Sequence, residues 1–113
     1  MFIIRKDQIK NMQQSKEDQF IKKSRLFLQF KYPEKSKQFS DKQLNEVVKN
    51  GINRASAYDI NSEQSVIAFL ELMFSLSFDF DDHPRTIWTK TILTNDNLNE
   101  SDKIMNILKK INT

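Results

Sequence analysis

Residues 62–76 read SEQSVIAFLELMFSL, and this stretch is the most informative part of the chain about its fold. Large apolar side chains occupy positions 66, 67, 69, 70, 72, 73, 74 and 76. A helix that is apolar on nearly every side is buried, because it has no polar face to offer to solvent. Its apolar part, residues 66–76, is about eleven residues long and therefore too short to cross a bilayer. The stretch therefore predicts a buried central helix.

The residues before this stretch predict a second helix over 41–57. Ser40 and Gln43 form the S-x-x-Q pattern of a capping box, which marks a helix start. The positions that follow give a clean helical stripe of Leu44, Val47, Val48, Gly51, Ile52 and Ala55. Because Gly51 lies within that stripe, we predict that another helix approaches closely there.

Three further helices complete the expected fold. The first runs from about residue 7 to residue 30 and ends before Pro33, with an inner face of Ile9, Met12, Phe20, Phe27 and Leu28. A short fourth helix is expected to begin at Asp82-His83-Pro84, with Ile87, Trp88, Ile92 and Leu93 facing the core. The last is capped at Asn99 and has a stripe of Ile104, Ile107, Leu108 and Ile111. We predict an all-α fold, a single domain over residues 1–113 with about five helices around the buried central one.

The composition excludes several classes of function. The 113 residues include no cysteine, one glycine and one histidine. Disulfide scaffolds, cysteine-ligated metals and thiol catalysis are therefore excluded, as are glycine-rich nucleotide cradles and multi-histidine metal sites. The apolar start Phe2-Ile3-Ile4 is too short for a secretory signal, and no stretch is long enough for a membrane span. We expect a cytoplasmic protein without a cofactor.

The two halves of the sequence carry opposite net charge. Residues 1–58 contain 13 Lys/Arg and 6 Asp/Glu, a net charge of +7, whereas residues 59–113 contain 5 and 9, a net charge of −4. The plain interpretation is a solvated basic first helix. The alternative is a face that steers an acidic partner, formed by Lys10, Lys16, Lys22, Lys23, Arg25 and Lys31 and completed by exposed aromatics such as Phe30 or Phe39. Scattered lysines with carboxylates among them argue against nucleic acid as that partner.

The segment FDFDDH at residues 78–83 is the single cluster that resembles chemistry. Three carboxylates and an imidazole are ligands that suit a divalent cation, but the spacing fits no calcium loop. Capping of the following helix accounts for the same residues, and we expect that no metal is required. No nucleophile elbow is recognisable, and five short helices around one small core scarcely provide the stable cleft that paired catalytic carboxylates need, so we expect a protein that is not an enzyme. A small carboxylate-based or metal-dependent enzyme that uses residues 79–83 is the alternative.

Residues 51–63, GINRASAYDINSE, resemble a pattern found in short bacterial proteins. The likeness extends to FLELM at 69–73, FDFD at 78–81, Trp88 and Leu93, and it spans about residues 8–108. The proteins that share the pattern G-I-x-R-A-x-x-Y-G-I-x-x-E are small helical accessory components encoded beside type VI secretion effectors. This chain departs from the pattern at Asp59 and Ser77, where the pattern has glycine.

The resemblance implies a non-catalytic binding protein, an adaptor or chaperone for a secreted toxin or effector. An immunity protein that neutralises the effector is the alternative. Arg54 lies beside the apolar stripe of its helix, and we expect it to pair with Glu63, Glu71 or Asp79 or else to touch a partner. The candidate partner-binding residues are Lys16, Lys22, Lys23, Arg25, Arg54, Phe78, Asp79 and Asp81.

Overall fold

The computed structural model describes the backbone of residues 6–112 and the side chains of residues 16–112. In chain order its helices are α1 Lys6–Lys31, α2 Pro33–Ser36, α3 Asp41–Ala57, α4 Glu63–Ser75, α5 Trp88–Leu93 and α6 Glu100–Ile111. The protein is 70% helical, and its described part contains no strand. The predicted all-α class is confirmed, with the short α2 as an unpredicted addition to the five expected helices.

The chain divides into two compact units, and the boundary falls inside α3 between Asn45 and Glu46. Unit 1 comprises residues 1–45 and unit 2 comprises residues 46–113. The single domain expected over residues 1–113 stays a prediction. Within residues 6–112, none of the helices combines the length and the apolar character that a membrane crossing requires.

The buried face of α1 is rotated from the face that we predicted. Ile21, Ser24 and Leu28 are buried, whereas Phe27 is exposed and Phe20 is only half-buried. Assigning Phe27 to the inner face was therefore wrong. The buried residues follow the spacing of three and four that defines one side of a helix, and the exposed Phe27 lies outside that row. The predicted inner positions Ile9 and Met12 have side chains outside the described residues, as does Lys10 of the basic face.

The connection between α1 and α3 is held by local hydrogen bonds. The Leu28 carbonyl, near the C-terminus of α1, accepts from Tyr32 N over 2.8 Å and, as a second donor, from the buried Ser36 hydroxyl of α2 over 3.2 Å. The capping box predicted before α3 is confirmed by both of its bonds. Ser40 N donates to Gln43 Oε1 over 2.9 Å, and Gln43 N donates to Ser40 Oγ over 3.1 Å.

Helix α3 ends in a Schellman motif with Asp59 in the left-handed conformation, at a φ of 61°. Ile60 N donates to Ala55 O and Asp59 N donates to Ser56 O, each over 2.9 Å, which is the hydrogen-bond pair of that motif. Ile60 and Ala55 are both fully buried, so they supply the apolar contact that accompanies it. Asp59 therefore occupies the position at which a helix C-terminus most often has glycine.

Helix α4 is buried along most of its length, as predicted. Its buried apolar residues are Val66, Phe69, Leu70, Leu72, Met73 and Phe74. The close approach expected at Gly51 of α3 is also confirmed. A Cβ atom at that position would overlap Leu70 Cδ2 and lie 3.0 Å from Met73 Sδ.

The segment between α4 and α5 differs from the prediction. It is a series of turns, and α5 begins at Trp88 rather than near Pro84, with no side chain capping its start. The Phe80 carbonyl accepts from the hydroxyls of Thr86, at 2.7 Å, and Thr89, at 3.3 Å, which holds the chain in turns up to the start of α5. The predicted helix start at residues 82–84 was therefore wrong.

Two of the predicted apolar stripes in unit 2 are partly exposed. Leu93, Ile104 and Ile107 are buried as expected, and Trp88 and Ile92 are half-buried. The residues assigned to the core that are instead exposed are Ile87, Leu108 and Ile111. Because α5 starts after Ile87, that residue does not share the buried face of the helix, while Leu108 and Ile111 lie in the last turns of α6.

Candidate functional site

The outer face of α1 carries three of the predicted partner-binding residues. Lys16, Lys22 and Lys23 are exposed, on the side of the helix that faces away from the buried row Ile21, Ser24 and Leu28. Because positions three or four apart share a face, the buried row occupies one side of α1 and leaves these lysines on the side that faces solvent. These lysines are therefore accessible to a partner.

Arg25 has an internal role that the sequence did not indicate. Its side chain is only 14% exposed, and Nη1 lies 2.9 Å from Asp41 Oδ2. Gln29 Nε2 donates to Asp41 Oδ1 over 3.0 Å, so two side chains of α1 hold the first residue of α3. This pairing accounts for Arg25 within unit 1 and separates it from the exposed lysines.

Exposed apolar side chains lie on the same helix as the lysines. Phe30 is 86% exposed and Leu26 is 51% exposed, while Phe27 lies at the edge of this group beside the Lys31 ammonium, 5.7 Å from its ring centre. Phe39, the other aromatic considered as a contact, is half-buried. We name Lys16, Gln19, Lys23, Leu26 and Phe30 the α1 seam. Gln19 and Leu26 are the members of this surface that the sequence pattern did not indicate.

In unit 2, Arg54 forms an ion pair with Asp81 instead of its predicted partners Glu63, Glu71 or Asp79. Its guanidinium also donates to the Phe78 carbonyl and lies 5.7 Å from the centre of the Phe69 ring. Asp81 is 3% exposed, and a carboxylate this buried requires a partner. The predicted ion pair is thus present, with a different carboxylate.

Tyr58 completes the environment of the Asp81 carboxylate. Its hydroxyl donates to Asp81 Oδ2 over 2.6 Å, while Arg54 holds Oδ1. Burial, followed by this hydrogen bond to an anion, raises the pKa of the Tyr58 hydroxyl well above its ordinary value. The hydroxyl therefore stays protonated and keeps donating, and both oxygens of Asp81 are engaged inside unit 2.

The other members of the 78–83 segment have separate surroundings. Phe78 is half-buried with its ring 5.1 Å from that of Phe74, and Asp79 is exposed and accepts a hydrogen bond from the Ser77 hydroxyl over 3.0 Å. Asp82 pairs with Lys90 at 2.7 Å, and the hydrogen bond from that ammonium lowers the pKa of Asp82. Among the described residues, no three histidine, aspartate or glutamate side chains are grouped so that they could share a metal ion.

A second surface with exposed apolar side chains lies between α4 and α6. A shallow groove is lined by Gln64, Ser65, Ala68, Ser101, Ile104, Met105 and Leu108. Met105 is 53% exposed and Leu108 is 41% exposed. In contrast to the lysines around Leu26 and Phe30, the side chains that line this groove are all uncharged.

Comparison with known proteins does not assign a family: no family model matches the chain, and no curated protein or solved structure matches it at a significant level.

Proposed function

We propose that this protein is a non-catalytic binding protein, an adaptor or chaperone for a secreted toxin or effector of a type VI secretion cluster. The observation that carries the binding role is the outer face of α1, where Leu26 and Phe30 are exposed among lysines. Single exposed apolar residues are ordinary, but an aromatic that is 86% exposed next to a leucine one turn away is suited to a partner. The resemblance of residues 51–63 to the accessory-protein pattern supplies the class of partner.

The 78–83 segment supports a binding role over the two alternatives. Catalysis by paired carboxylates requires two carboxyl groups that act together on a substrate. Asp81 is buried against Arg54 and Tyr58, Asp82 pairs with Lys90, and the exposed Asp79 bonds to Ser77, so the three carboxylates have separate surroundings. An immunity protein that plugs an active site requires a protruding loop, whereas Phe80 is fully buried and anchors this segment. On the outer face of α1, by contrast, Leu26 and Phe30 are exposed and accessible to a partner.

Co-expression with the product of the neighbouring gene tests the proposal. We expect the effector to co-purify with the protein. Growth rescue by the protein in cells that produce an active effector separates immunity from loading: rescue would assign the immunity role, and capture without rescue supports the adaptor or chaperone. Absence of a complex would contradict both.

A pair of matched double variants locates the surface. Leu26→Ser with Phe30→Ser is expected to abolish capture while leaving the thermal melt unchanged, because both side chains are exposed. Met105→Ser with Leu108→Ser removes a comparable exposed apolar pair from α6 and is expected to leave capture intact. The reverse result would place the partner on the groove between α4 and α6.

A further inference from the structure

The α1 seam has the spacing of a coiled-coil contact line. Lys16, Gln19, Lys23, Leu26 and Phe30 follow one another at intervals of three, four, three and four residues, and all five are exposed. This alternation keeps side chains on one line along a helix and is the pattern by which one helix packs lengthwise against another. The buried row of Ile21, Ser24 and Leu28 lies on the other side of α1, so the seam is a second, outward contact line.

The seam is basic at one end and apolar at the other. Lys16 and Lys23 occupy the N-terminal part that the structure describes, and Leu26 and Phe30 occupy the C-terminal part. A helix lying along the seam would bury the two apolar side chains and bring its own residues against the two ammonium groups. Those ammonium groups lose hydration in the contact, so the opposing residues must be carboxylates.

A second copy of α1 does not fit this seam. In a parallel pair, Lys16 would oppose Lys16 and Lys23 would oppose Lys23. In an antiparallel pair, Lys23 would again oppose Lys23, and Lys16 would lie against Phe30. Like charges in opposing positions are destabilising, and both arrangements bring the two Lys23 ammonium groups together. The residues that make the seam a contact line therefore disfavour self-association.

The charge of unit 1 favours an acidic partner as well. Residues 1–45 contain 11 Lys/Arg and 5 Asp/Glu, a net charge of +6. Arg25 and Asp41 cancel within that total because they form an internal pair, so the excess positive charge is carried by other residues, with Lys16, Lys22 and Lys23 among the exposed ones. A positive field of this kind raises the rate at which an acidic surface is captured.

We propose that the α1 seam binds an acidic amphipathic helix of a partner protein. That helix presents carboxylates to Lys16 and Lys23 and apolar side chains to Leu26 and Phe30. The proposal rests on the binding role proposed above, and it adds the secondary structure and the charge pattern of the segment that is captured. Helix-against-helix recognition of this type is read through anchors three and four residues apart.

Two synthetic peptides of three heptads each test the charge pattern. They share an apolar half and differ only at the seam positions that face Lys16 and Lys23, which are Glu in one peptide and Lys in the other; equal helicity is checked by circular dichroism. Fluorescence anisotropy with the full chain is expected to show at least about tenfold tighter binding of the Glu peptide in low salt, and a smaller difference at high salt.

A charge-swapped variant provides the decisive arm. Lys16→Glu with Lys23→Glu is expected to lose the Glu peptide and to gain the Lys peptide, because the attraction and the repulsion exchange places. Both residues are exposed, so the fold is expected to be retained, which the thermal melt verifies. Equal binding of the two peptides by the natural chain, or a swap that leaves the preference unchanged, would overturn the proposal.

The apolar half of the seam has its own variant. Leu26→Ser with Phe30→Ser is expected to remove binding of the Glu peptide at every salt concentration, while Met105→Ser with Leu108→Ser leaves it unchanged. Capture of the effector together with peptides that bind equally well would refute the acidic helix and keep the proposed function. Selective binding of the Glu peptide without effector capture would keep the acidic helix and refute the effector role.

Discussion

Gly51 is the residue at which one added methyl group tests the packing of α3 against α4. In an exposed helix, replacing Gly by Ala stabilises by up to about 1 kcal/mol. At Gly51 the new Cβ overlaps Leu70 Cδ2 and lies 3.0 Å from Met73 Sδ, and Leu70 is fully buried. We expect Gly51→Ala to lower the free energy of unfolding and Gly51→Leu to lower it by about 1–3 kcal/mol or more, as measured by chemical denaturation.

A double variant distinguishes overpacking from other effects at this position. Leu70→Val shortens the side chain that the new methyl group meets. If overpacking is the cause, Gly51→Ala combined with Leu70→Val is less damaging than the sum of the two single changes, because the sites couple through one contact. Additive losses, or a stabilised Gly51→Ala variant, would show that the contact is looser than the structure indicates.

Asp59 carries a Cβ atom in a backbone conformation that favours glycine. A φ of 61° disfavours every residue with a Cβ, Asp and Asn less than most. We expect Asp59→Gly to raise the free energy of unfolding by about 0.5–1 kcal/mol, since glycine adopts this conformation without steric cost. Asp59→Ala is expected to lower the free energy of unfolding, and thermal melts of the two variants compare them directly. Stabilisation by Ala would contradict the left-handed turn.

Local residue roles could be predicted from the sequence, whereas contacts that depend on loop conformation could not. The caps at Ser40 and Asn99 involve hydrogen bonds to residues three positions away, so the spacing in the sequence is enough to predict them. Arg54 bonds to a residue 27 positions away, and choosing Asp81 over Asp79 requires knowing which way the 78–83 turns direct each carboxylate. No rule of spacing supplies that information.

At the scale of elements, the first residue of α6 stabilises the start of α4. Glu100 Oε1 accepts from Ser62 N over 2.9 Å and from Asn61 N over 3.1 Å. These donors lie at the N-terminus of α4, where backbone N–H groups lack partners within the helix. The hydrogen bond from the Ser62 backbone is the largest of the effects that lower the pKa of Glu100 below its ordinary 4.5. The folded state therefore favours the ionised carboxylate.

This shift in pKa predicts a loss of stability in acid. Because the pKa is lower in the folded state, the contribution of Glu100 is complete above about pH 4.5 and is lost as the pH falls through the folded-state value. We expect Glu100→Gln to lower the free energy of unfolding at pH 7 by about 0.5–1 kcal/mol. The variant should also lose less stability than the natural chain between pH 5 and pH 3, as followed by thermal melts. Glu63→Gln, in the first turn of α4, is the matched control, because it removes a carboxylate from the same end of the helix and leaves the hydrogen bonds to Glu100 in place.

The helices themselves were easier to predict than the faces that they bury. Helix α1 carries apolar residues on two sides, so the helical period fits either Phe20 with Phe27 or Ile21 with Leu28. The sequence does not specify which of the two rows is buried, and the structure buries Ile21 and Leu28 and exposes Phe27. Leu26 and Phe30 can be identified as a candidate contact surface only when the buried row of Ile21, Ser24 and Leu28 is known.

At the scale of the whole molecule, the distribution of charge matters more for binding than its total. Residues 1–45 carry a net charge of +6, and residues 46–113, with 7 Lys/Arg and 10 Asp/Glu, carry −3, so the total of +3 conceals both. An approaching protein within about 8 Å, the screening length at physiological ionic strength, responds to the nearest exposed charges rather than to the total. We therefore expect the association rate of an acidic partner to depend on where lysines are removed.

Two charge-reversed variants with the same net charge separate local steering from total charge. Changing Lys16, Lys22 and Lys23 to Glu takes the net charge from +3 to −3, as does changing Lys42, Lys49 and Lys109. If the outer face of α1 steers the partner, the first variant associates at least about tenfold more slowly in low salt, the second associates less than about threefold more slowly, and the gap narrows as salt is added. Stopped-flow association with the co-purified effector measures both rates. Equal slowing of the two variants would mean that total charge alone acts, and no slowing in either would make the lysines of α1 a solvated surface.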